Sequence, residues 1–279
     1  MKTQTEDRFP WAFVALTFGF TWLILLPAVW STFAGFSLPF PVLVLVATAQ
    51  FGPSLTAFVL TFRRGGRRGA LDLLKRAFDF RIATRWLAAI FLIPPLVGAG
   101  ALSLNVLSGG HAPALALLAQ PAAIVPTFLF TLLLVGPVPE EFGWRGYLLD
   151  RVQGRHGALA ASLIVGVIWA VWHLPLFYIG YLPFPFWMYL IAVVALSILF
   201  TWIYNNTGGN LLGALLFHTM FNVSIQLFPP MELAGGDARG FLILALLYVM
   251  TAVLVAALWG AQTLSHGHER AAGTLRAAN

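Results

Sequence analysis

The sequence contains no cysteine and very little charge. Only 9% of its 279 residues are charged and 59% are hydrophobic, whereas soluble domains carry roughly 25% charged residues. The lack of cysteine excludes disulfides, thiol nucleophiles and thiolate metal ligands. The lack of charge excludes an ordinary soluble domain. The composition therefore indicates an integral membrane protein.

Apolar segments of helical length recur along almost the whole chain. A membrane-spanning helix needs about 20 residues, and segments of that kind lie near residues 11–31, 41–62, 86–107, 122–137, 157–178, 186–204, 210–228 and 240–262. Little chain is left between them. We therefore predict an all-α fold, a polytopic bundle of about eight transmembrane helices, in a single integral membrane domain over residues 1–279.

The basic residues are distributed unevenly between the two sides of this bundle. If the N-terminus is cytoplasmic, all but one of the 16 lysine and arginine residues fall on the cytoplasmic side, the exception being Arg239. This is the positive-inside pattern. It predicts a multi-pass cell-membrane protein with cytoplasmic N- and C-termini. It also accounts for the net charge of +6 without a nucleic-acid partner.

Two polar stretches stand out against the apolar segments. Residues 63–85 begin with a basic, glycine-containing stretch, predicted to be a flexible turn, and continue with the pattern of an interfacial amphipathic helix. This cytoplasmic connection anchors the chain or, alternatively, senses lipid or a substrate tail. Residues 265–279 are predicted to form a flexible tail.

Four ionisable side chains lie at predicted membrane depth, where such groups are costly and usually mark a functional site. Glu140 and Glu141 follow Gly-Pro-Val-Pro, which should break the fourth helix and start a second helical segment. His173 and His218 lie in helices five and seven. We estimate the depth of these groups in the bilayer by counting about 1.5 Å per residue from the cytoplasmic turns. If the hairpin of helices four and five protrudes beyond the bilayer, we expect the groups to converge in its cytoplasmic half.

Helical spacing predicts partners for these groups. Residues four positions apart share a helix face, and three pairs have this spacing: Glu141 and Arg145, Trp169 and His173, and His218 and Asn222. Each pair alone has a purely structural explanation, because polar side chains also hold membrane helices together. We expect the first pair to support and orient Glu140.

Taken together, the groups supply a general base, an orienting imidazole and donors for an oxyanion. A partly desolvated carboxylate beside a second acid suits general-base catalysis. We therefore predict hydrolysis of a peptide bond, in which Glu140 deprotonates a water that His173 holds. His218 and Asn222 would donate hydrogen bonds to the developing oxyanion.

A metal-dependent variant and two other functions remain open. Zinc could bind His173, His218 and Glu140 with a water in the fourth position, although the preferred mechanism requires no cofactor. The same acid and imidazoles could form a proton relay in a transporter, although no inverted repeat is evident in the sequence. A non-catalytic binding or immunity protein is the third alternative.

The motifs resemble those of a known family. Residues 140–145 resemble the Glu-Glu-x-x-x-Arg motif of the CAAX protease and bacteriocin-processing (CPBP or Abi) family, which includes the Ras-converting CAAX prenyl proteases. Residues 169–173 resemble its Phe-x-x-x-His motif, with Trp169 in place of phenylalanine, and residues 218–222 resemble its His-x-x-x-Asn motif. The resemblance covers roughly residues 120–228, which would form the protease core.

This resemblance implies an eight-helix intramembrane endopeptidase of a bacterial cell membrane, either glutamate-type or metal-dependent. It implies that the side chains acting in catalysis are Glu140, His173, His218 and Asn222. It implies supporting roles for Glu141, Arg145 and Trp169, the last as a packing residue. The expected partners are membrane lipid and a protein or peptide substrate that arrives from the cytoplasm or the inner leaflet.

Overall fold

A computed structural model describes residues 9–230 and 238–266, and within these ranges all of the regular secondary structure is helical. The α-helices are α1 (Trp11–Ala34), α2 (Val42–Ala49), α3 (Gly52–Lys75), α4 (Thr84–Leu107), α5 (Ile124–Leu134), α6 (Pro137–Gly143), α7 (Asp150–His156), α8 (Ala158–Trp172), α9 (Leu174–Tyr178), α10 (Phe186–Asn206), α11 (Leu211–Leu227) and α12 (Arg239–Trp259). A π-helical turn, Trp144–Leu149, joins α6 to α7.

The helices combine into eight apolar segments, in the order that the sequence predicts. Within the described ranges, seven segments are long and apolar enough to cross a membrane. Four spans are single helices: span one is α1, span three is α4, span six is α10 and span eight is α12. Three spans combine shorter helices: span two joins α2 to α3, span four joins α5 to α7, and span five joins α8 to α9. The seventh segment, α11, is apolar but has only 17 residues. The all-helical, multi-pass architecture is therefore confirmed.

The predicted helices are interrupted more often than the hydropathy pattern indicates. Span two breaks at Gln50 and Phe51 before α3 begins. The basic residues 63–68, which we expected to form a turn, are helical apart from a kink at Gly66, whose φ of 59° lies in the left-handed region. Helix α3 then continues to Lys75. The tail from residue 267 onward, expected to be flexible, lies outside the described residues.

Two further interruptions lie where the candidate site residues are. In span four, α5 ends at Leu134, and α6 begins only at Pro137. Span five, expected to be one helix over 157–178, breaks at His173, because Pro175 follows two residues later and cannot continue the hydrogen-bonded ladder. The turn between spans four and five lies at Gly157.

The core lies along α10, which is the most buried of the spans. Helix α8 approaches it closely at Gly166, where a methyl group would lie 2.9 Å from the Cα of Val194. By contrast, large apolar side chains such as Leu107 and Phe130 are exposed. Hydrocarbon is a suitable environment for them, as expected for helices that face lipid.

Helix α6 is fixed in place by close contacts with span two and span one. A methyl group on Gly143 would lie 2.5 Å from Cβ of Pro53, so α6 and α3 meet almost backbone to backbone. The hydroxyl of Ser54 donates a hydrogen bond to the carbonyl oxygen of Val138 at 2.8 Å. From the other side, the ring of Phe13 in α1 packs against the π-helical turn. The two glutamates of α6 are therefore held by a rigid frame.

Candidate active site

The helix break before α6 is stabilised by two amide side chains. Gly136 has a φ of 95°, and its N–H donates to Oε1 of Gln50 at 2.9 Å. The Nε2 of Gln50 donates to the carbonyl oxygen of Leu134 at 2.6 Å, and Nδ2 of Asn222 donates to that of Val135 at 2.9 Å. Irregular backbone is tolerated at membrane depth only where protein groups or water satisfy it. Gln50 and Asn222 do so here.

Glu140, in the first turn of α6, is buried and bound through one oxygen. Its Oε2 accepts hydrogen bonds from the indole N–H groups of Trp144 at 3.1 Å and Trp169 at 2.7 Å. Only 5% of the residue is exposed. Among the described residues, no side chain donates a hydrogen bond to the other oxygen, Oε1. One oxygen therefore holds the carboxylate in place while the second is available to a ligand or to water.

Glu141 lies beside Glu140 in sequence but belongs to a different set of contacts. Its Oε1 accepts from Nη1 of Arg145 and from Nδ1 of His218, each at 2.8 Å. The glutamate and the arginine are both 0% exposed. The predicted pair of Glu141 and Arg145 is therefore formed, but it contacts His218 rather than orienting Glu140. We call Glu141, Arg145 and His218 the buried charge cluster.

Aromatic rings enclose the arginine of this cluster. The guanidinium of Arg145 lies 3.9 Å from the ring centroid of Phe200 and 4.5 Å from that of Trp169. Aromatic faces attract cations, the more strongly where water is excluded. The rings thus partly replace the hydration that the buried guanidinium has lost.

His173 lies at the break between α8 and α9, where it ends a helix rather than lying within one. Its Nδ1 is 2.8 Å from the carbonyl oxygen of Trp169. Because a carbonyl oxygen only accepts, Nδ1 must carry the hydrogen, and the neutral ring then has its lone pair on Nε2. The rings of Trp172 and Tyr189 pack edge-on against the imidazole and fix its plane.

Trp169 lies at the centre of these groups. Its indole N–H binds Glu140, its carbonyl oxygen binds His173, and its ring is 5.5 Å from that of His218. Residues from spans four, five and seven are thus linked through one side chain. The expectation that Trp169 is only a packing residue is incomplete, because a phenylalanine could not donate this hydrogen bond.

Gly136 leaves a small space beside His218 and Asn222. A methyl group built on this glycine would lie 3.0 Å from Nε2 of His218 and 3.1 Å from Nδ2 of Asn222. Two nitrogens that can carry hydrogen therefore converge on a volume the size of one atom. That volume suits an oxygen atom, because the distances match N–H···O hydrogen bonds.

The donors proposed for zinc do not gather into a metal site. Across residues 9–230 and 238–266, no group of three or more histidine, cysteine, aspartate or glutamate side chains could hold a metal ion. The residues present therefore do not fit a zinc centre of Glu140, His173 and His218.

Two residues that contribute to the site were not predicted from the sequence, for different reasons. Trp144 is four residues after Glu140, so the spacing that paired Glu141 with Arg145 would have found it. Gln50 has no such signal, because its contact with Gly136 joins positions 86 residues apart. Only the packing of span two against span four brings the two together.

The comparisons with known proteins bear on the same region. The profile of the Rce1-like type II CAAX prenyl endopeptidases matches residues 121–224, which include the helix break, both glutamates, both histidines and Asn222. CAAX prenyl protease 2 of Methanococcus maripaludis is 24% identical over 210 residues, which cover 71% of this chain and 75% of that protein. Over residues 121–224 the chain is therefore similar to the Rce1-like CAAX prenyl endopeptidases.

The similarity to the Rce1-like CAAX prenyl endopeptidases supports a hydrolase and points to an intramembrane protease. A second relative is lysostaphin resistance protein A of Staphylococcus haemolyticus, which is 29% identical over 124 residues. That match covers 44% of this chain and only 33% of the relative. The resemblance inferred from the three motifs is thereby confirmed.

Proposed function

We propose that the protein is an intramembrane endopeptidase that hydrolyses a peptide bond of a membrane-associated protein or peptide, using a water activated by Glu140. The main support for this proposal is that the two oxygens of the Glu140 carboxylate differ in their hydrogen-bond partners. Two indole N–H groups hold Oε2, whereas Oε1 has no hydrogen bond from a described side chain. A general base needs this arrangement, in which one oxygen is anchored and the other faces water.

In the first step, Oε1 of Glu140 removes a proton from water while the water oxygen attacks the carbonyl carbon of the scissile bond. Nε2 of His173, which has its lone pair free, accepts a hydrogen bond from the second hydrogen of the water. The hydrogen bond from Nδ1 to the carbonyl of Trp169 keeps the imidazole in this tautomer.

The carbonyl oxygen becomes an oxyanion, and we place it in the space beside Gly136. There Nε2 of His218 and Nδ2 of Asn222 donate hydrogen bonds to it, which is usually a large contribution to catalysis. For Nε2 to donate, His218 must be protonated on both nitrogens, since Nδ1 already donates to Glu141. Charge balance favours that form. Two carboxylates, one guanidinium and one imidazolium sum to zero, and buried charges are stable only when paired.

In the second step the tetrahedral intermediate collapses. The proton held by Glu140 moves to the nitrogen of the leaving amine, the C–N bond breaks, and a carboxylic acid and an amine leave. The protein groups return to their starting protonation states, and no metal enters any step.

The substrate is proposed to be a protein or peptide that reaches the site from the cytoplasmic side or from the inner leaflet. This follows if the N- and C-termini are cytoplasmic, as the distribution of basic residues predicts. Because one relative is a CAAX prenyl protease, a farnesylated peptide with a C-terminal CAAX sequence is a suitable first probe. An unprenylated peptide of the same sequence tests whether the lipid is required.

The proposal is tested with purified protein in liposomes and internally quenched forms of both peptides. We expect cleavage by the wild type and none by Glu140→Gln, which keeps the shape of the side chain but cannot accept the proton. The matched control is Asp72→Asn, which alters an exposed acid on α3 and should leave cleavage unchanged. Cleavage by Glu140→Gln, or no cleavage of either peptide by the wild type, would overturn the proposal.

A further inference from the structure

We infer that Trp169 is a positioning residue whose indole N–H holds Oε2 of Glu140 and thereby directs Oε1 toward the attacking water. The inference rests on the proposed function, because it assigns Trp169 a task in that reaction. It goes beyond the motif resemblance, in which the position is occupied by phenylalanine and only packs.

The hydrogen bond between Trp169 and Glu140 is the shorter of the two that reach Oε2, at 2.7 Å against 3.1 Å for Trp144. It also has a different mechanical role. Trp144 is in the same span as Glu140, four residues later, and moves with it. Trp169 is on α8, so its hydrogen bond ties the glutamate to a second helix.

The indole ring is itself held firmly. Only 3% of Trp169 is exposed, its ring packs edge-on against Phe200, with centroids 5.6 Å apart, and the guanidinium of Arg145 lies over its face. A donor fixed on several sides loses little conformational freedom when it binds the carboxylate. It can therefore restrict the carboxylate to one orientation.

A second observation concerns the backbone of Trp169. The carbonyl oxygen of Trp169 accepts the hydrogen of Nδ1 of His173. One residue thus anchors both groups that would hold the water, the carboxylate through its side chain and the imidazole through its backbone. The positions of the base and the imidazole are then both tied to one residue, which limits how far their separation can vary. Misplacement of a reacting group by about 1 Å costs about 100-fold in rate.

The experiment separates the N–H group from the bulk of the ring. Three side chains are introduced at position 169: phenylalanine, the benzothiophene analogue of tryptophan, which replaces only N–H by sulfur, and 5-fluorotryptophan, which keeps the N–H. The values of kcat and KM are measured on the peptide probe in liposomes. The control is Trp202→Phe, which alters a buried tryptophan whose indole nitrogen has no partner among the described residues.

The expected result follows from the loss of one hydrogen bond to an ionised group. Phenylalanine and the benzothiophene analogue should lower kcat about 10- to 100-fold and leave KM nearly unchanged, since substrate binding does not use the N–H. The fluorinated tryptophan and the Trp202→Phe control should retain kcat. Unchanged kcat with the benzothiophene analogue, or a fall in KM and kcat together, would overturn the inference while Glu140→Gln remained inactive and the proposed function stood.

A measurement without substrate completes the test. In nitrogen-15 spectra of the protein in micelles, the indole proton of Trp169, assigned by its loss in Trp169→Phe, should move upfield in Glu140→Ala because its acceptor is gone. The indole proton of Trp202 should not move. An unchanged Trp169 resonance would overturn the inference, whatever the protein cleaves.

Discussion

Replacing Arg145 by methionine tests the buried charge cluster directly. Methionine keeps much of the aliphatic volume of arginine but removes the guanidinium, which is fully buried. The carboxylate of Glu141 is then left with Nδ1 of His218 as its remaining partner. Its second oxygen, Oε2, already has no partner among the described residues.

The size of the effect can be worked out from these contacts. Removing one partner of a buried ion pair costs about 3–5 kcal/mol, because the other charge is left uncompensated. The two aromatic contacts of the guanidinium add about 1 kcal/mol or more each where water is excluded. We therefore expect the free energy of unfolding to fall by about 5–7 kcal/mol, against a total stability of about 5–15 kcal/mol. The double variant Glu141→Gln with Arg145→Met should recover part of this loss, since it leaves no unpaired carboxylate at that position.

The assay is unfolding in detergent micelles by titration with dodecyl sulfate, followed by circular dichroism. The matched control is Arg81→Met, because Arg81 also pairs with a carboxylate, that of Asp79, but its side chain is 90% exposed. Exposed pairs contribute about 0–1 kcal/mol, so this variant should unfold close to the wild type. A loss in Arg145→Met no larger than in Arg81→Met would refute the reasoning.

Three further predictions use the close contacts and the metal question. Gly136→Ala places a methyl group in the proposed oxyanion space and should lower peptide cleavage about 100-fold or more, while Gly154→Ala, which meets no atom within 4 Å, should not. Gly143→Ala drives a methyl into Pro53 and should lower the free energy of unfolding by about 1–3 kcal/mol; Gly19→Ala, in open space, should leave it unchanged or raise it. Protein stripped of metal by a chelator should keep its protease activity. Activity that is lost to the chelator and restored by zinc would contradict this last prediction.

Much of the architecture could be predicted because hydrophobicity alone determines which segments can lie in a bilayer. Eight apolar segments were expected and eight are present, with α11 shorter than a full span. The helix breaks were predictable only where proline marks them locally, as before Glu140. The break at His173 has a similar signal in Pro175, but the continuous apolar pattern hides it. The kink of α3 at Gly66 replaces a predicted turn because the neighbouring arginines favour helix.

The candidate site was predictable as a set of residues but less so as a set of contacts. Spacing by four residues correctly paired Glu141 with Arg145, since that interaction is local. It assigned the pair to Glu140, whereas the contact is with His218, 77 residues away. The amide of Gln50 and the hydrogen bond of Trp169 were missed in the same way. Contacts between distant segments depend on helix rotation and depth, which hydropathy does not encode.

The helix break of span four has a consequence for biosynthesis. Two residues of α11 complete this region. Asn222 donates a hydrogen bond to a backbone carbonyl at the break, and His218 belongs to the buried charge cluster. Membrane helices emerge from the ribosome in order, N-terminal first. A nascent chain that ends before α11 therefore has an unsatisfied carbonyl and an incomplete charge cluster, and it lacks both of the proposed oxyanion donors. Under the proposed mechanism, cleavage can begin only after α11 has been synthesised, and a product terminated before α11 cannot cleave other proteins in the membrane.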